Sequence, residues 1–184
     1  LPVYVGTSPY QQVPFQWSLH IKTSSGDLLH KSFLWSEQDD PREALLGSLI
    51  DAIPPEGTIV AYSNYEQRVM KDLAAAFPDF ADALLGLCDR TFDLLKLIRE
   101  EYYHPQFHGS FSIKSVLPVL APDMGYGGLE IQHGLVAAID FGRMVSENTT
   151  IDEKEKTKEA LLAYCEKDTE AMVRVFDALC SIES

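Results

Sequence analysis

Thr58-Ile-Val-Ala-Tyr-Ser-Asn-Tyr-Glu66 is a short apolar run that turns directly into a helix. Thr58 to Tyr62 is bounded by turn residues, the pattern of a buried strand. The helix that follows is predicted from Tyr65 to about Phe77. A buried strand feeding a helix is a building block of α/β proteins. Upstream, Phe15-Gln-Trp-Ser-Leu-His-Ile21 alternates apolar and polar residues, as a half-buried strand does. Ser24-Ser-Gly-Asp27 is turn chemistry, and Leu28 to Trp35 reads as the returning strand, so residues 15–35 are predicted to form a β-hairpin. Asp40-Pro41 opens a helix with the stripe Leu45, Leu46, Leu49, Ile50 and Ile53.

Downstream, Phe80 to Leu87 is predicted helical, and Arg90 to Ile98 fits a strand or a helix. Residues 100–112 read as loop. Ser112 is placed as the cap of a helix that Pro118 ends or kinks early. Asp123 to Ile131 is a Gly-rich loop. Gly134 to Val145 is helical by period, and Glu153 to Leu179 is the longest helix. Strands come early and helices dominate late, which predicts an α/β fold with a mixed sheet flanked by helices.

The 184 residues suit one domain with a full-sized core, taken as 1–184. With 46% hydrophobic and 23% charged residues, the composition excludes a disordered or fibrous chain. No apolar run approaches the ~20 residues of a membrane helix. Leu1 is no initiator methionine, and the Pro2, Tyr4 and Gly6 that follow make no secretory signal, so the chain reads as part of a longer protein with other domains. Cys88, Cys165 and Cys180 form no CxxC pair, so neither a zinc cluster nor a disulfide framework is indicated, and scattered thiols fit a reducing cytoplasm. The net charge of −13 argues against a broad basic surface for nucleic acid. It leaves room for an enzyme that grips one strand end through metal ions.

Two acids carry the chemistry. On the last helix Leu161, Tyr164, Asp168, Met172, Val175 and Leu179 share one stripe, while Glu159, Glu166 and Arg174 lie opposite. Asp168 thus interrupts an apolar face, where an ionised carboxylate is costly without a partner. The alternative to a ligand role is a buried Asp paired with an Arg or capping another helix. Glu66 shares a stripe with Val69, Met70, Leu73 and Phe77 and is placed facing inward. Ser63-x-x-Glu66 also matches a capping box, in which the Glu closes back on the cap residue's own N–H. Two inward acids would suit a hard cation such as Mg²⁺, which takes carboxylates and substrate phosphates.

Tyr164-Cys-Glu-Lys-Asp168 resembles the third motif of the DEDD (DnaQ-like, RNase H-fold) 3′–5′ exonucleases in their tyrosine subclass. Ala61-Tyr-Ser-Asn-Tyr-Glu66 resembles their second motif, in which an Asn precedes an acid at a helix start. Ser8-Pro-Tyr-Gln-Gln12, Phe15-Gln-Trp-Ser-Leu-His20, Asp40-Pro-Arg42, Tyr103-His-Pro105, Gly109-Ser-Phe-Ser-Ile-Lys114 and Val116-Leu-Pro118 resemble a bacterial family of unknown function, DUF2779. The resemblance implies an RNase H-like mixed sheet and a two-metal site for Mg²⁺ or Mn²⁺. It makes Asp168 a metal ligand, Tyr164 the group that orients the attacking water, and Glu66 a ligand to the second metal through water. Asn64 would then contact the substrate, a single-stranded 3′ end of DNA or RNA. The second motif usually carries Asp, so the longer Glu66 must sit differently. The first motif, Asp-x-Glu on an opening strand, is missing: no acid precedes Asp27. It is expected upstream of Leu1, and the 184-residue chain is expected to bind metal weakly and show little nuclease activity. A non-catalytic RNase H-like module that binds nucleic acid or a protein is the alternative.

Gly109-Ser110-x-Ser112-x-Lys114 is a candidate phosphate cradle, with Ser110, Ser112 and Lys114 as contacts; the alternative is a plain cap with a solvated Lys. Arg90 and Asp93 read as a surface or strand-end pair. His104 and His108 lie among Tyr102, Tyr103 and Phe107, aromatics able to stack on a base or to form a small core under the loop. His20, His30 and His133 are assigned no role. Asp152 to Glu159 reads as a solvated first helical turn.

Overall fold

The computed structural model describes residues 4–8, 11–125, 127, 130–131 and 134–182. His133, and Pro2, Pro9 and Tyr10 of the opening loop, lie outside them. The fold is mixed α/β, with antiparallel and parallel strands flanked by helices. The expected mixture is present, divided between two two-stranded sheets. The chain forms two compact units: Leu1–Ile53 with Tyr126–Thr169, and Pro54–Gly125 with Glu170–Ser184. Among the described residues no helix is long and apolar enough to cross a membrane.

The first unit begins with the hairpin β1 (Gln16–Lys22) and β2 (Leu28–Leu34), in register from Gln16↔Leu34 to Lys22↔Leu28. Its turn is closed by Thr23 N–H donating to Asp27 O (2.9 Å), and Gly26 sits there at φ +91°, a conformation that glycine adopts without strain. Helix α1 (Arg42–Ala52) packs on the hairpin. Leu45 and Leu46 are buried, Trp17 Nε1 donates to Ser48 Oγ (3.0 Å), and Lys31 Nζ donates to Ala52 O (3.2 Å). The start of α1 is held by Asp40, whose carboxylate accepts from the Arg42 N–H (3.0 Å) and from its guanidinium. Later in the chain, α6 (Gly134–Met144) and the first part of α7 (Ile151–Ile182) supply a core of Ala137, Phe141, Met144 and Leu161. Phe15 stacks on Phe141 with ring centroids 3.9 Å apart.

The second unit holds the parallel pair β3 (Ile59–Ala61) and β4 (Thr91–Asp93). Between them run α2 (Tyr65–Ala76) and α3 (Ala81–Asp89), the latter introduced by a 3₁₀ turn at Pro78–Phe80. The stretch that fits either strand or helix is both in turn: β4 passes into α4 (Leu94–Glu101), with the Asp93 side chain accepting from Lys96 N–H (2.9 Å). Arg90 does not pair with Asp93. It donates to Gly57 O (2.8 Å) and Pro54 O (2.6 Å), and so pins the loop before β3. In α5 (Ile113–Leu120) Pro118 does not end the helix early; the chain continues two residues past it. Pro118 forfeits one amide in a short helix that buried Val116 and Leu117 anchor. The aromatic loop is a small core around Phe107, 1% exposed, which meets the rings of Tyr102, His104 and Phe111.

Candidate functional site

Helix α7 presents the expected stripe. Leu161 and Val175 are buried, and Tyr164, Asp168, Met172 and Leu179 are half-buried. Tyr164 and Asp168, one turn apart, meet directly: the Tyr164 hydroxyl donates to the Asp168 carboxylate. Burial first, then the Asp168 charge and this hydrogen bond, push the phenol well above its ordinary 10.0. Between them on the chain, burial and the Asp168 charge push the Cys165 thiol up to about 12, so it is held as the inert thiol. A phenol this protonated is a donor at every physiological pH. Replacing Asp168 with Asn removes the charge, and the Tyr164 titration is expected to move toward its ordinary value. Phenolate absorbance against pH, differenced against Tyr164→Phe, measures this; an unmoved titration would mean that burial alone sets it.

Glu66 is exposed, not inward. Its helix buries Met70, Leu73 and Ala74, whereas the first turn reaches past these packed residues. The Glu66 carboxyl accepts from the backbone N–H groups of Ser63 and of Glu66 itself. Only the glutamate half of the capping-box alternative is present: the N-cap of α2 is Asn64, and Ser63 Oγ accepts from the Tyr65 N–H (3.2 Å). The surrounding protein pushes the carboxyl up, those N–H groups pull it down, and nearby Asp93 raises it again. Glu66 stands in the first turn of α2, after β3, and Asp93 is both the last residue of β4 and the N-cap of α4. Asn64 occupies the N-cap position of α2, exposed and without a side-chain cap bond. Glu66 belongs to the second compact unit and the Tyr164–Asp168 pair to the first.

The serine loop differs from expectation. Ser112 takes the N-cap position of α5, but its side chain makes no cap bond. The hydroxyls bond one another instead: Ser112 Oγ meets Ser115 Oγ at 3.0 Å, and Ser115 donates to Ser110 Oγ at 3.0 Å. Lys114 is half-buried rather than solvated. These hydroxyls are spent locally, which weakens the cradle as a phosphate site.

One constellation escaped the sequence. His20 and His30 face each other across the hairpin, ring centroids 4.7 Å apart, and His30 Nδ1 lies 3.5 Å from Glu166 Oε1 of α7. The available signal was register. Counted from a turn over Thr23–Asp27, the two histidines are equally distant.

The family model for a domain of unknown function (DUF2779) matches residues 1–112. The chain belongs to the DUF2779 family. No curated protein and no solved structure matches it. The part of this DUF2779 chain that matches the family model takes in the hairpin, α1, β3, Glu66 and the serine-loop residues Ser110 and Ser112. Lys114, Tyr164 and Asp168 lie beyond the matched residues.

Proposed function

We propose that this chain carries part of a metal-dependent 3′–5′ exonuclease-like phosphodiester hydrolase, of the RNase H-like DEDD kind in its tyrosine subclass. The observation that supports it is the Tyr164–Asp168 pair, a phenol donating to a carboxylate in the middle of an otherwise apolar helix face. The oxygen chemistry of Asp168 suits Mg²⁺ or Mn²⁺, hard cations that take carboxylate ligands. It fits as one ligand among several. Such a cation, when bound, supplies charge and an activated water for attack on a phosphodiester. Asp168 would hold it. Tyr164, kept protonated, would orient the water through its hydroxyl. Glu66 would act through water, since its direct contacts are with its own helix start. Asn64, Ser110, Ser112 and Lys114 would touch a single-stranded 3′ end.

Water-proton relaxation during Mn²⁺ titration tests this reading. Asp168→Asn is expected to weaken Mn²⁺ binding at least tenfold with the far-ultraviolet circular dichroism unchanged; equal binding in both proteins would sink it. A non-catalytic module is the second reading, favoured by the cap closure of Glu66. It expects a labelled single strand to bind without metal and to leave uncut.

A further inference from the structure

We propose that His20, His30 and Glu166 bind a transition-metal cation of the zinc class, through His20 Nε2, His30 Nδ1 and a Glu166 carboxylate oxygen. The ligand atoms these three residues offer all lie within 4.8 Å of one another. They come from β1, β2 and α7 within one compact unit. Two ligand atoms about 2.0–2.1 Å from a tetrahedral Zn²⁺ stand roughly 3.3 Å apart. The 3.5 Å between His30 Nδ1 and Glu166 Oε1 is close to that, and exposed Glu166 has room to turn inward.

A chain of hydroxyls joins the two rings from behind, and its proton positions set their tautomers. His20 Nδ1 lies 2.8 Å from Thr169 Oγ1, Thr169 Oγ1 2.8 Å from Ser18 Oγ, and Ser18 Oγ 2.9 Å from His30 Nε2. Thr169 Oγ1 is also 3.0 Å from the Glu166 carbonyl, where its one proton is well placed. With that proton there, Ser18 donates to Thr169, and both histidines donate, His20 from Nδ1 and His30 from Nε2. The His30 lone pair then falls on Nδ1. His30 Nδ1 would point a bare lone pair at a carboxylate 3.5 Å away, an arrangement that a cation between them relieves. If Thr169 donates to Ser18 instead, Ser18 donates to His30 Nε2, and His30 Nδ1 keeps a proton for Glu166. Turning two hydroxyls separates the metal-ready state from the ion-pair state. Metal-binding histidines are commonly held this way, the second ring nitrogen on an oxygen.

Two imidazoles and a carboxylate suit zinc and its neighbours better than magnesium. Three protein ligands at a partly exposed place leave a fourth position for water. Glu166 and Asp168 are two residues apart and so do not share a direction on α7.

Zn²⁺ calorimetry and Co²⁺ absorption on the 184-residue chain test the proposal. The expected result is a single Zn²⁺ per chain and the visible bands of four-coordinate Co²⁺. His30→Gln and Glu166→Gln should each weaken Zn²⁺ at least tenfold, and Thr169→Val about tenfold by releasing the His20 ring. Asp168→Asn should leave Zn²⁺ affinity unchanged, which separates this site from the Mn²⁺ reading. Far-ultraviolet circular dichroism confirms that each variant is folded. Equal Zn²⁺ affinity in a His20→Ala/His30→Ala double variant, or no Zn²⁺ uptake at micromolar metal, would overturn it and leave an ion pair.

Discussion

Arg42→Ala is expected to destabilise the first unit by about 3 kcal/mol at neutral pH, the scale for breaking a largely buried ion pair. Arg42 is 5% exposed. Its guanidinium donates to Asp40 through Nε at 2.9 and 3.0 Å and through Nη2 at 2.6 Å, and also to Val5 O at 3.1 Å. The loss therefore includes packing, four hydrogen bonds and the charge that balances Asp40. Burial pushes the Asp40 carboxyl up, but the hydrogen bonds and charge of Arg42 outweigh burial and hold it below its ordinary 3.8. A carboxyl depressed in the folded state stabilises above its unfolded pKa, and that stability is lost as pH falls through the folded value. The difference between wild type and Arg42→Ala should thus be greatest at neutral pH and shrink on acidification below pH 3.8. Urea unfolding followed by tryptophan fluorescence measures it, because Trp17 and Trp35 both belong to this unit. A difference that stays constant across that range would refute the linkage.

Phe141→Ala is expected to cost about 3–5 kcal/mol. The ring is 2% exposed and sits among Ala137, Met144, Val145 and Leu161. It also stacks on Phe15 at an interplanar angle of 9°. Removing it leaves a cavity under the hairpin end as well as the lost transfer energy. Phe141→Leu, nearer in volume, should cost much less. The same fluorescence-detected unfolding reads both, and a cost below about 1.5 kcal/mol for the alanine variant would mean that the site collapses to fill the void.

Local features were legible in the sequence. The alternation of Phe15 to Ile21 gave β1, and the turn chemistry of Ser24 to Asp27 gave the hairpin. The spacing of Tyr164 and Asp168 gave their shared face, which is why they meet. Glu66 was harder. A helical stripe assigns a direction to every residue, but a first turn has fewer neighbours to bury it, and there the cap pattern governs. Ser112 kept its place but not its bond, because Ser115 competes for the same hydroxyl. The strands' division into two sheets was not legible, since β3 and β4 are each three residues long and their pairing is non-local. The histidine pair required knowing the hairpin register and which face meets α7.

The parallel β3–β4 pair also sets an order of events as the chain folds. The β1–β2 ladder closes through a turn of a few residues, an event on the microsecond scale of isolated hairpins. Ile59 can meet Thr91 only after the intervening chain, with α2 and α3, has been brought round, so closure entropy is spent before any ladder bond repays it. Arg90, reaching back to Pro54 and Gly57, closes that loop just outside the strand register. It acts as a latch on this non-local contact, holding the loop shut where three residues of strand alone would be a weak fastening.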